Sequence, residues 1–118
     1  MPSPKTISFF QDRLIFVSLI FAAIFNIILW LMLAGKFGWS GERVPLHFNV
    51  VYGIDYLGNA RQVYQIPLAG LALIIINVVL AMRIYSREKI FSYFLVFGSG
   101  VLQLILIISA LTLIVLNA

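Results

Sequence analysis

The stretch that decides the fold is Leu14–Leu33, LIFVSLIFAAIFNIILWLML, in which only Ser18 and Asn26 interrupt an apolar run. As an α-helix these roughly 20 residues reach about 30 Å, the thickness of a bilayer's hydrocarbon core. Asp12 and Arg13 close the run at one end, and Trp30, Phe37 and Trp39 mark the opposite interface as an aromatic belt does. The run is too long for the apolar region of a signal peptide and no A-x-A-like site follows it, so it reads as a retained membrane anchor.

Working outward, Met1–Ser8 opens with Pro2, Ser3 and Pro4 and reads as an unstructured tail. Residues 34–65 are polar and turn-rich, with Gly35, Gly38, Gly41, Gly53 and Gly58. A second apolar run starts at Ile66 and ends at Arg83. Pro67 fits either its first helical turn or a kink after a lead-in helix, and the capping-box spacing of Asn59 and Gln62 favours the lead-in. A third run, Ile90–Leu116, spans about 40 Å and is expected to tilt or protrude. The short connection between the second and third runs, Arg83–Glu88, forces an antiparallel hairpin. The expected fold is therefore an all-α membrane protein, a single membrane domain over 1–118. Its three transmembrane helices cover approximately 14–33, 66–83 and 90–116, with a short extended or turn segment in the loop 34–65 between the first two.

Composition agrees. Of 118 residues 63% are hydrophobic and 10% charged, against about a quarter charged in globular domains. The length leaves no room for a soluble catalytic domain beside the spans. The absence of cysteine excludes disulfides, thiolate metal sites and cysteine nucleophiles. The net charge of +4 is spread over the edges of the apolar runs, as lipid-headgroup anchors are; a nucleic-acid face would need a basic stripe. Lys5, Arg13, Arg83, Arg87 and Lys89 fall on one side of the membrane and Lys36, Arg43 and Arg61 on the other. The larger group is expected in the cytoplasm with the N-terminus, which turns the 34–65 loop and the C-terminus outward.

Because lipid gives helices no hydrophobic reason to associate, small and polar residues mark their contacts. Ala22 and Asn26 are spaced like Ser99 and Gln103, and counting about 1.5 Å per residue puts Asn26 level with Gln103 and Ala22 level with Ser99. A seam between the first and third helices follows, with Asn26 hydrogen-bonded to Gln103 and with Gly98 and Gly100 admitting a neighbouring backbone. Asn77 lies at a different depth and needs another partner. These side chains read as polar glue. A transport path is the competing reading, but no ionisable residue lies inside the spans.

The loop carries the one unusual motif, Val44-Pro45-Leu46-His47-Phe48-Asn49-Val50, followed by Gly53, Asp55 and Gly58. Alternation of apolar and other residues is a strand signature that places His47 and Asn49 on one face. Pro45 restricts the segment to an edge strand or an extended stretch. Gly53 and Gly58 bracket an expected turn that Asp55 would close. His47 reads either as a ligand-contacting, pH-sensing residue or as a side chain pinning the loop to the helix ends. Only Glu42 and Asp55 could join it at a metal, too few for a site, so no metal and no cofactor are expected. Tyr52, Tyr56 and Tyr64 on the loop side read either as a binding surface or, the commoner case, as an aromatic belt, which Tyr85 and Tyr93 form on the other side.

Pro45-x-His47-Phe48-Asn49 with the following glycine, aspartate and glycine resembles the short motif after the first helix of SdpI-type bacterial membrane proteins. Ile54 stands where that pattern has a proline, Gly53 sits one place late, and Arg61 stands where a lysine is common. The family includes immunity proteins against a secreted peptide toxin and many small members of unknown function. The resemblance implies a bacterial plasma membrane and a loop in which Pro45, His47, Phe48, Asn49, Gly53, Asp55, Gly58 and Arg61 bind a ligand or order the backbone.

No carboxylate pair, activated nucleophile or phosphate-cradling glycine loop is present, so an enzyme is not expected. Two binding-type functions are left. One is an immunity- or receptor-like accessory protein whose loop recognises a peptide, lipid or envelope protein. The other is a structural subunit packed in a larger membrane complex. The partners expected are the bilayer and another membrane protein, a secreted peptide or a second copy, and no nucleic acid.

Overall fold

The computed structural model describes residues 9–39, 41–49 and 53–117, with 45–49 and 53–57 described as backbone alone. After a helical turn at Phe9–Gln11, the chain forms α1 (Arg13–Phe37), strands β1 (Arg43–Asn49) and β2 (Gly53–Asn59), a 3-10 helix (Ala60–Tyr64), α2 (Gln65–Ile84) and α3 (Lys89–Leu116). The three α-helices are long and apolar enough to cross a membrane, and the described part of the chain is a three-helix membrane protein with a small two-stranded sheet in the loop.

Each helix has a chemical reason for its limits. Asp12 caps α1 by accepting from the Leu14 N–H at 3.1 Å. The helix outlasts the apolar run by a turn, because Phe37 turns inward onto the core near Ala60 and Val63. It stops at Gly38, whose φ of 56° suits glycine and whose N–H returns to the Ala34 carbonyl at 3.0 Å. The expected capping box is present: Asn59 accepts from the Arg61 N–H, the Gln62 side chain accepts from the Asn59 N–H at 2.9 Å, and the 3-10 helix leads into α2. Tyr85–Arg87 turns the chain into α3.

α3 is the middle helix, packed along both α1 and α2, while α1 and α2 meet much less. Burial is inverted relative to a water-soluble bundle. Asn26, Ser92, Ser99 and Gln103 are buried, whereas Leu31, Phe94 and Ile108 are each more than 60% exposed. Such an arrangement is stable only where the surroundings are apolar.

The loop differs from its expected form. Residues 53–59 are not a turn but a second strand, paired antiparallel with β1 from Arg43↔Asn59 to Asn49↔Gly53. Pairing with β1 satisfies the backbone of this stretch, so Asp55 lies in a strand and closes no turn. The ladder carries two irregularities around the His47↔Tyr56 pair, leaving Leu46 on one strand and Asp55 on the other without an opposite residue. The unmatched residue of β1, Leu46, breaks the period of two between Pro45 and His47, while β1 runs on without an extra residue from His47 to Asn49. A second difference concerns close approach. A Cβ built at Gly98 or Gly100 would meet nothing within 4 Å, whereas one at Gly70 would collide with Gln103. Close packing therefore occurs where α2 crosses Gln103, not along the glycine pair of α3.

Candidate functional site

Four groups of polar and aromatic side chains run the length of the molecule. At mid-depth, the Asn26 Nδ2 donates to Gln103 Oε1 and to the Pro67 carbonyl, each at 3.0 Å. Gln103 Nε2 donates to the Gly70 carbonyl at 3.0 Å, and Trp30 Nε1 donates to Asn26 Oδ1 at 3.0 Å. The amide orientations are mutually consistent, since flipping either would set donor against donor. One network thus ties all three helices and leaves no partnerless buried polar side-chain atom among the described residues. Each of its bonds runs to another side chain of the network or to a backbone carbonyl of α2, so the network binds the helices to one another.

Farther toward the interhelical turn, Asn77 Nδ2 donates to Ser99 Oγ at 3.0 Å and to the Leu95 carbonyl at 3.2 Å. Ser92 Oγ donates to the Ala81 carbonyl at 2.7 Å. Ala81 with Ser92, Asn77 with Leu95 and Gly70 with Gln103 belong to one antiparallel register, so three polar rungs fix how α2 lies on α3.

At the turn end, Asp12 accepts from both Tyr85 Oη and Tyr93 Oη at 2.6 Å, with Lys89 Nζ 3.8 Å away. The Asp12 side chain is only 10% exposed, and Phe9 packs edge-on against the Tyr85 ring. Burial pushes the Asp12 carboxyl up, but the two phenol hydrogen bonds, the Leu14 N–H and Lys89 outweigh it and hold the group below its ordinary value. Tyr85 is pushed up, first by its bond to Asp12 and then by burial. Sequence reading gave the two tyrosines only a belt role. Their spacing from Asp12 holds no signal, because the turn between α2 and α3 joins Tyr85 to Tyr93 and only the packing of α1 on α3 brings Asp12 to them.

The loop end is where the predicted recognition residues lie. In the ladder, Pro45 stands opposite Leu57, His47 opposite Tyr56, Phe48 opposite Ile54, Asn49 opposite Gly53, and Gly58 opposite Val44. Asp55 occupies the unmatched position of β2, and Tyr52 lies outside the described residues. The hairpin is seated rather than free: Val44 packs on the core cluster that contains Leu33, Phe37, Ala60 and Val63, and the Ala60 N–H bonds the Glu42 carbonyl at 2.8 Å. Tyr64 Oη donates to the Gly38 carbonyl. The Tyr64 ring stacks on Trp30 with centroids 5.9 Å apart and packs against Trp39 at 5.8 Å. Arg61 sits over the Trp39 ring, its guanidinium carbon 5.3 Å from the centroid. Sequence reading gave Arg61 a place in the loop motif and the tryptophans a place in the belt; the structure joins them into one aromatic and cationic wall.

Among the described residues, no three His, Cys, Asp or Glu side chains converge as metal ligands would. Comparison with family models, with curated proteins and with solved structures finds no match for this chain.

Proposed function

We propose that this chain is a small membrane accessory protein, immunity- or receptor-like, whose hairpin-bearing loop recognises a peptide, a lipid or an envelope protein. The observation that carries the reading is the seated hairpin. A connection meant only to join two spans does not need two paired strands, a capped 3-10 helix and a tyrosine tethered to the end of α1. The buried polar side chains of the bundle bond one another and helix carbonyls, which supports placing recognition in the loop. The resemblance of Pro45-x-His47-Phe48-Asn49 to the SdpI-type motif supports a bacterial plasma membrane. The distribution of basic residues supports a cytoplasmic N-terminus with the hairpin outside.

The alternative, a subunit packed against a larger membrane complex, is favoured by a different observation. Two adjoining grooves of about 310 and 280 Å³ share Leu14, Ser18 and Phe97 on the α1–α3 face, and Gly100 lines the second, with no atom within 4 Å of where its Cβ would lie. Site-specific photo-crosslinking in native membranes separates the two. Crosslinks from positions 47 and 49 that vanish with alanine at the other hairpin position support recognition by the loop. Crosslinks confined to positions 18 and 97 support the subunit and count against the loop.

A further inference from the structure

The groove between the end of α1 and the start of α2 has a chemistry of its own, and we propose that it holds the headgroup of an anionic glycerophospholipid from the leaflet at the loop end. Its volume is about 440 Å³, within the range of small-molecule sites. Trp30, Trp39 and Tyr64 form its aromatic side, Arg61 and Gln65 its polar rim, and Leu68 is part of its apolar lining. Leu68 is 57% exposed, so the apolar wall runs directly onto the lipid-facing surface of α2. A ligand there must be amphiphilic, with a polar part at Arg61 and a hydrocarbon part lying along the helix.

Arg61 sets the sign of the polar part. Its guanidinium lies over Trp39, its Nε makes one long contact to Asn59 Oδ1 at 3.4 Å, and no carboxylate among the described residues is paired with it. A planar fork of donors matches phosphate oxygens two at a time. A phosphocholine headgroup would also bring its own ammonium toward the guanidinium, whereas a phosphoglycerol headgroup brings no opposing charge. The groove is built from α1, the turn after it that carries Trp39, the 3-10 helix and α2, so the proposal deepens the lipid arm of the loop reading without requiring the strands at His47 and Asn49.

The chain supplies its own reporter. Its two tryptophans, Trp30 and Trp39, both line the groove, so intrinsic emission follows occupancy without a label. The protein is reconstituted in phosphatidylcholine vesicles containing equal mole fractions of either brominated phosphatidylglycerol or brominated phosphatidylcholine. We expect half-maximal quenching at a roughly fivefold lower mole fraction of the anionic lipid, the preference one interfacial cation gives. Arg61→Gln should erase that preference and Arg61→Lys retain part of it. Equal quenching by the two lipids in the wild-type protein, or a preference that survives Arg61→Gln, overturns the proposal. If Arg61→Gln does not fold, salt replaces it: the wild-type preference must shrink as ionic strength rises, and a salt-insensitive preference also overturns the proposal.

Discussion

Asn26 of α1 and Gln103 of α3 are 77 positions apart in the chain and joined by a 3.0 Å hydrogen bond. Each also holds a backbone carbonyl of α2, Pro67 for Asn26 and Gly70 for Gln103. In an apolar solvent an amide without partners is costly, so the two side chains select the one depth at which both are satisfied. Replacing Asn26 by leucine leaves Gln103 Oε1 and Trp30 Nε1 without their partner. Asn26→Leu and Gln103→Leu should each lower stability by about 1–2 kcal/mol, measured as an earlier thermal transition in detergent. Unchanged melting of both would show that the network contributes nothing.

Gly70 is required by the same crossing. A Cβ there would lie 2.9 Å from Leu106 Cδ1 and 3.0 Å from Asn26 Nδ2 and would collide with Gln103 Oε1. Gln103 cannot swing aside without breaking its two bonds. Gly70→Ala should therefore destabilise by about 1–3 kcal/mol, while Gly98→Ala, in open space, should not. Equal melting temperatures for the two variants would contradict this packing.

The Asp12 cluster predicts how stability depends on pH. The folded carboxyl titrates below its ordinary value of 3.8, so its contribution is complete above that pH and is lost as pH falls through the folded value. Tyr85 has the opposite sign. Its folded value lies above 10.0, so its contribution is complete below pH 10.0 and is lost as pH rises through the folded value. Melting temperature against pH should show a plateau with both flanks, and Asp12→Asn should flatten the acid flank. An acid flank unchanged in Asp12→Asn would assign it to other carboxylates.

Two glycines near the end of α1 should respond in opposite directions. Neither has a neighbour within 4 Å of a built Cβ, so conformation alone decides. Gly35 lies inside the helix, and Gly35→Ala should stabilise by about 0.5–1 kcal/mol. Gly38 has φ 56° with ψ −144°, a conformation open essentially to glycine alone, and Gly38→Ala should destabilise by about 1–3 kcal/mol. Paired thermal melts check the signs, and the same sign for both would contradict the Gly38 cap.

Serines that bridge helices should matter more than serines that bond their own helix. Ser92 is buried and donates across to Ala81 at 2.7 Å, whereas Ser109 is exposed and donates to Ile105 of its own helix at 3.3 Å. Ser92→Ala should cost about 0.5–1 kcal/mol and Ser109→Ala should stay within about 0.5 kcal/mol of the parent. Denaturation in mixed micelles reads both, and comparable losses would remove the distinction.

Some of this architecture is written in single residues and their spacing. Three apolar runs set three helices because an exposed backbone in lipid has no alternative to its own hydrogen bonds. Asn59 and Gln62 announced the capped lead-in to α2 because capping is a local interaction. Even the Asn26–Gln103 pairing was legible, since two parallel helices rise at the same rate and place their rare polar residues at matching depths.

What involved third elements was not legible. The paired glycines around Asp55 read as turn brackets, yet pairing with β1 makes that stretch a strand, and the unmatched Leu46 and Asp55 give the ladder two irregularities that alternation in one strand does not announce. Gly98 and Gly100 promised close approach, and Gly70 provides it, because only the angle and register of α2 on α3 decide which glycine faces a neighbour. Asp12 found Tyr85 and Tyr93, and Arg61 found Trp39, across separations for which sequence carries no spacing rule. The sequence by itself determined the number, order and approximate limits of the helices, because an apolar segment's own balance with lipid makes it helical. The extra turn of α1 to Phe37 came from packing on Ala60 and Val63. The tertiary structure alone decided which side chains meet at the two membrane surfaces, because that depends on how separately formed segments are brought together.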